Sequence, residues 1–145
     1  SHGLAFMPVL NDRLCAFVPL DHPLARHRAL TLEQLADQPI ILTGRDSSVR
    51  EHVEALFDQT RLTMNAGMEA NYMSTVLALV RQGLGISVLP ESAADSLEGL
   101  KRITIDHPGV NREIGLISRS GIGLSPAAQR CFDLLHEQLS NTPLS

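Results

Sequence analysis

RQGLGISVLP, residues 81 to 90, sets two glycines, a serine and a proline close together and mimics several functional loops. It matches none of them. A phosphate-binding loop needs G-x-x-x-x-G-K-[ST] leading from a strand into a helix, whereas here no lysine follows and a helical pattern leads into a strand pattern. The dinucleotide fingerprint needs a third glycine where Val88 stands. The nucleophile elbow needs G-x-S-x-G, and Ser87 is followed by Val88 and Leu89. What remains is a helix-to-strand joint. Gly83 is expected to end a helix as a left-handed C-cap, and Gly85 to let the backbone turn directly into a buried strand.

Working outward from that joint, the chain alternates helix and strand patterns. Apolar positions 72, 73, 76, 77, 79 and 80 wrap around more than one face of residues 71 to 82, which predicts a largely buried helix. LTMNAGM, 62 to 68, alternates enough for a strand. Before it, Val49, Val53, Leu56 and Phe57 share one helical face and Arg50, Glu51, Glu54 and Asp58 take the other, with Ser48 and Glu51 as the expected capping box. IILT, 40 to 43, reads as a buried strand. Thr31 with Gln34 caps a short helix that Pro39 terminates. LCAFVP, 14 to 19, is a buried strand closed by Pro19. Downstream lie strands at 85 to 90, 101 to 105 and 113 to 118. A final helix is expected to open with Ser125 and Pro126 and to carry the stripe Ala128, Cys131, Phe132, Leu135 and Leu139. Strands separated by helices predict an α/β fold with right-handed crossovers and a mainly parallel sheet.

Composition narrows the function. The 145 residues suffice for one ordinary domain, 43% are apolar, and the net charge is only -4. No apolar run is long enough for a membrane span, and no signal peptide is visible. SHG at residues 1 to 3 reads like a cleavage scar, so a piece cut from a longer protein is expected. Cys15 and Cys131 form no C-x-x-C motif, and buried free thiols in a reducing compartment are expected. The twelve Lys and Arg residues are scattered and aromatics are few, which argues against nucleic-acid binding by this segment itself. His2, His22, His27, His52, His107 and His136 include no H-x-x-x-H pair and read as structural or solvated. Glu33 and Asp37 read as solvation on an exposed helix. No catalytic residue, metal site or cofactor is expected.

DRLCAFVPLDHPLA (12 to 25), TLEQLADQPIIL (31 to 42), LVRQGLGISVLPES (79 to 92), REIGLISR (112 to 119) and SPAAQRCFDLL (125 to 135) follow one another in an order and spacing that resembles the LysR-type transcriptional regulators. The resemblance covers nearly all of residues 4 to 139 and lies within their effector-binding region. It implies a periplasmic-binding-protein-like (type 2) fold, two lobes joined by two crossover strands with a small molecule between them. On that reading residues 4 to 19 hold the first crossover strand, with 14 to 19 as the crossover itself. Residues 20 to 110 form most of the second lobe, and 111 to 145 hold the return crossover and the C-terminal helix of the first lobe. The winged helix-turn-helix and most of the first lobe would lie outside this sequence. Strand edges and apolar stripes left without partners predict self-association, domain swapping, or poor packing of residues 113 to 139.

The implied activity is effector sensing in a bacterial, cytoplasmic regulator, with binding rather than turnover, a dimer or tetramer as the working unit, DNA contacted only through the winged helix-turn-helix, and no membrane. A transporter's solute-binding protein would share the fold. Ligands of open α/β sheets sit beyond the carboxyl ends of strands, where helix N-termini offer free N–H groups. That selects the loop Thr43, Gly44, Arg45, Asp46, Ser47 and Ser48, the junction Met68, Glu69 and Asn71, and the strand end at Pro90 as effector-binding candidates. Arg45 suits a carboxylate. Asp46 and Glu69 add negative charge, so an amino-acid-like or hydroxy acid fits as well as a simple organic acid.

Overall fold

The computed structural model describes residues 4 to 119 together with Arg130, Asp133 and Leu134. In chain order the strands are β1 (Leu4–Asn11), β2 (Leu14–Pro19), β3 (Ala29–Leu30), β4 (Ile40–Thr43), β5 (Ala66–Ala70), β6 (Ser87–Pro90), β7 (Leu100–Ile105) and β8 (Glu113–Arg119). The helices are α1 (Leu32–Ala36), α2 (Ser48–Gln59) and α3 (Met73–Arg81), with short 3-10 turns at Pro23–Arg26, Glu91–Ala93 and Pro108–Val110. The expected final helix falls outside the described residues, save that Arg130, Asp133 and Leu134 are helical.

The chain divides into two bodies. One comprises Ser1–Asp12 and Arg112–Ser145, the other Arg13–Asn111. In the first, β1 and β8 pair antiparallel from Leu4 opposite Arg119 to Asn11 opposite Glu113, with a register shift between Pro8 and Leu10 where proline offers no N–H to the ladder. The Asp12 N–H donates to the Arg112 carbonyl at 2.9 Å at the end of this ribbon.

The second body holds a sheet in the order β3-β7-β2-β6, and a parallel pair β4-β5. A single parallel bridge between Ile40 and Ile86 carries the sheet from β6 to β4. The sheet is mixed rather than mainly parallel, because β2 runs antiparallel to both β6 and β7. The crossover rule governs strands joined by a long helix, as in β4-α2-β5-α3-β6, and there the strands are parallel. Between β2 and β4 stand only a turn, the two-residue β3 and the five-residue α1, so that rule does not set the direction of β2. Residues 14 to 19 consequently lie wholly inside the second body, while the chain passes between bodies at Asp12 to Arg13 and at Asn111 to Arg112.

Local signals account for the ends of elements. Thr31 and Gln34 form the expected capping box of α1, with the Gln34 N–H donating to Thr31 Oγ1 at 3.2 Å and the Thr31 N–H to Gln34 Oε1 at 2.9 Å. The N-cap of α2 is Ser47 rather than Ser48. Ser47 has extended backbone angles and its Oγ accepts from the N–H groups of Val49 and Arg50, whereas Ser48 is already helical, so Glu51 falls one position too late to complete a box. Helix α3 ends in the expected left-handed glycine: Gly83 has φ 79°, its N–H donates to Val80, and the Leu84 N–H reaches back to Leu79. Arg61 does the same for α2 at φ 59°, with Arg61 N–H bonded to Asp58 and Leu62 N–H to Phe57. That turn consumes the start of the strand expected at 62 to 68, and β5 begins only at Ala66.

One core fills the second body. Phe17, Leu30, Ile40, Leu56, Phe57, Val76, Ile86, Leu89 and Ile103 are all buried within it. Only Val76, Leu77 and Val80 of α3 are buried and Tyr72 is 72% exposed, so this helix buries one face and not the several expected. Cys15 is free and buried as expected, and burial pushes its thiol pKa up. His22, His52 and His107 hold structural bonds: His22 Nδ1 accepts from the Leu24 N–H, His107 Nδ1 from the Gly109 N–H, and His52 Nε2 lies 2.6 Å from the Gly109 carbonyl.

Candidate functional site

Strand β4 ends at Thr43, which is buried, and delivers residues 44 to 47 into the N-terminus of α2. The turn is tight, with the Ser47 N–H donating to the Gly44 carbonyl at 3.0 Å and Thr43 Oγ1 lying 3.3 Å from Ser47 Oγ. Parallel strand β5 pairs Thr43 with Ala70 and so delivers Asn71 to the same end of the sheet. There Gly44, Arg45, Asp46, Ser47 and Asn71 line an open recess of about 350 Å³. A β-carbon on Gly44 would stand 3.2 Å from Asn71 Oδ1, so the glycine allows the asparagine amide to come close to the loop.

The chemistry of this recess is polar and mixed in charge. Arg45 and Asp46 are exposed, and neither they nor Asn71 have a side-chain hydrogen bond or ion pair among the described residues. A guanidinium fork, a carboxylate and an amide therefore face one space without side-chain partners among the described residues, beside the Ser47 cap of a twelve-residue helix. Chemically, such a set can pair with both an anionic group and a hydrogen-bond donor. Among the described residues no group of three His, Cys, Asp or Glu side chains is placed to hold a metal ion.

The remaining candidates stand around this space. Thr43 lies beneath it through Ser47. Ser48 is exposed on the first turn of α2 and does not line the recess. Met68 and Glu69 lie on β5 opposite Ile41 and Leu42, with Met68 41% exposed. Pro90 is buried at the end of β6 opposite Leu14, outside the lining. Sequence reasoning placed Arg50 on the solvated face of α2 and missed its part here. Its side chain is only 11% exposed, and its guanidinium donates from Nη1 to the Thr43 carbonyl at 2.9 Å and pairs with Glu69 at 3.2 Å and with Glu54. Burial works against the Arg50 charge, but hydrogen bonds and charge from Glu54 and Glu69 outweigh it and hold its pKa above the ordinary arginine value. The i, i+4 spacing of Arg50 and Glu54 was the one visible signal.

The family model for the LysR substrate binding domain matches residues 1–140. The chain belongs to the LysR substrate-binding domain family. Curated relatives of this LysR domain include the uncharacterized HTH-type transcriptional regulator YybE of Bacillus subtilis, 31% identical over 89% of this chain and 44% of that protein. The RuBisCO operon transcriptional regulator of Allochromatium vinosum is 34% identical over 82% of this chain and 40% of that protein, and CatR of Pseudomonas putida is 34% identical over 88% and 45%. The LysR chain thus spans less than half the length of the curated relatives it matches. Among solved structures, the Synechocystis CcmR regulatory domain in complex with 2-PG aligns at TM-score 0.82 with 24% identity, covering 99% of this chain and 71% of that one. The effector binding domain of QuiR in complex with shikimate aligns at TM-score 0.77 with 26% identity, covering 98% and 68%. The fold is the periplasmic-binding-protein-like type 2 fold, and the family is one of transcriptional regulators rather than of enzymes. No helix among the described residues is long and apolar enough to cross a membrane.

Proposed function

We propose that this chain is the effector-sensing part of a bacterial LysR-type transcriptional regulator and that the recess beside Gly44 and Asn71 takes a small carboxylate-bearing metabolite. The observation that carries the reading is the set of side chains without partners among the described residues, Arg45, Asp46 and Asn71, gathered at the N-terminus of α2. Arg45 receives the carboxylate as a bidentate fork, and Asp46 and Asn71 meet an ammonium or hydroxyl. An amino-acid-like or hydroxy acid therefore fits. The relatives support regulation over transport, since those named above are regulators, and the complexes of CcmR with 2-PG and of QuiR with shikimate support a small-molecule effector.

The activity is binding, not turnover, in the cytoplasm, with neither membrane nor cofactor. Body Arg13–Asn111 serves as the second lobe, and the chain crosses to the first lobe on either side of it. An effector that prefers one arrangement of the lobes shifts the geometry of a dimer or tetramer, by a coupling of about 1 to 3 kcal/mol, and a winged helix-turn-helix outside this sequence carries the change to DNA. The test is a thermal-shift and calorimetric screen of amino acids and hydroxy acids against the wild-type chain and Arg45→Ala. A ligand at a hundred times its Kd stabilises the protein by about 2.7 kcal/mol, which a thermal shift resolves. Wild type is expected to gain stability from at least one acid and Arg45→Ala to lose most of that gain; equal gains in both place the ligand elsewhere.

A further inference from the structure

The two loops that line the recess come from different strands, one following β4 and the other joining β5 to α3. The ladder that pairs Thr43 with Ala70 holds their roots, and beyond it no side chain in the recess ties the two loops among the described residues. Gly44 has no side chain, and Arg45, Asp46 and Asn71 make no side-chain bond among the described residues. A side-chain tie lies behind the recess. Arg50 Nη1 donates to the carbonyl of Thr43, immediately before Gly44, and the same nitrogen stands 3.2 Å from Glu69 Oε2, two residues before Asn71. The Nε of this guanidinium is held by Glu54 one turn further along α2.

We propose that Arg50 is the positioning residue of the recess: it fixes the spacing of the loop at Gly44 and the junction at Asn71, and through that spacing the affinity for effector, while itself lining no part of the recess. This rests on reading the recess as the effector site. The planar fork suits the task, because it presents donors in fixed directions to the Thr43 carbonyl, Glu69 and Glu54 at once. A lysine ammonium on a flexible stem has no such fork. The arrangement also engages Glu69, and since one guanidinium shared by Glu54 and Glu69 leaves a negative charge beside the opposed pair Arg45 and Asp46, the recess has no surplus of positive charge. A recess of that balance selects a zwitterion or a hydroxy acid over a multiply charged anion. The plain alternative is an ordinary helix-surface pair between Arg50 and Glu54, which would contribute a little stability and leave the recess unmoved.

The test uses ¹⁵N-labelled wild-type chain with Arg50→Met, Arg50→Lys and Glu69→Ala. The Gly44 backbone amide, the Asn71 side-chain amide and the thermal midpoint are followed, and each protein is titrated with L-serine and with glycolate. Arg50→Met is expected to move both the Gly44 and Asn71 signals and to weaken probe binding roughly tenfold, as loss of a charge-assisted anchor would. Arg50→Lys should restore neither signal. Glu69→Ala should move Asn71 and spare Gly44, since Arg50 still holds the Thr43 carbonyl. Signals of Gly44 and Asn71 that superimpose on wild type in both Arg50 variants overturn the proposal, whatever the thermal midpoint does. If Arg50→Met does not fold, Arg50→Lys and Glu69→Ala decide it. If the wild type takes up neither probe, the effector reading loses its support, and the two amide signals still decide whether Arg50 positions the loops.

Discussion

A β-carbon placed on Gly85 would stand 2.7 Å from the carbonyl oxygen of Pro39, the group that accepts the Ile86 N–H at 3.0 Å and starts the bridge between β6 and β4. Because the obstacle is a backbone oxygen just ahead of β4, Gly85→Ala is expected to destabilise the chain by about 1 to 3 kcal/mol in urea denaturation, the usual range for overpacking. Arg61 presents the opposite case. It occupies the left-handed region at φ 59°, where a side chain costs roughly 1 kcal/mol that glycine avoids. Arg61→Gly should therefore raise the urea midpoint despite lengthening the list of glycines; a lower midpoint would mean that its side chain contributes more than its backbone strain costs. Cys15 carries a pH dependence. Its folded pKa is raised above 9.0 by burial first and by Glu91 second, so below pH 9 the thiol is protonated in both states and pH has no effect through it. Above that value the unfolded chain ionises first and stability falls, a loss that Cys15→Ala should abolish in denaturation curves between pH 7 and 10.

Helix α2 shows how one residue of register decides which side chain does what. Ser47 and Ser48 are interchangeable as caps by residue type, but only Ser47 has the extended backbone that aims its hydroxyl at the N–H groups of Val49 and Arg50. Ser47→Ala should cost about 1 kcal/mol of stability and Ser48→Ala almost nothing, measured side by side in thermal denaturation. Equal losses would restore Ser48 to the cap. The same register turns Arg50 inward beneath the loop. Its predicted solvated face exists for Glu51, Glu54 and Asp58, which are exposed, but not for a guanidinium long enough to reach back to the end of β4.

At the scale of the molecule, β5 is the element that lacks cover. Four of its five residues are exposed, it pairs with β4 alone among the described strands, and Met68 and Tyr72 stand open beside it. An exposed edge of this kind invites pairing with another chain. Light scattering across a concentration series is expected to give a mass above that of one chain, and Met68→Lys to lower it. A monodisperse monomer at every concentration would remove the edge from consideration.

Residue patterns alone settled the α/β class, the strands at 14 to 19 and 40 to 43, most of the strand expected at 85 to 90, which runs Ser87–Pro90, the capping box at Thr31 and the glycine cap at Gly83. Those features depend on neighbours within a few positions, and a local sequence can state them. The candidate loop after β4 was legible for a similar reason, since a strand end followed by a capped helix is a local signature. The direction of β2, the exposed flank of α3 and the late start of β5 were decided by pairing with strands remote in sequence. So was the site's composition. Asn71 meets Gly44 only because β5 docks parallel to β4, and Arg50 becomes a part-buried tie only because that docking brings Glu69 to it. Alternation in a sequence says which side chains turn inward, but not which strand lies alongside or which way it runs.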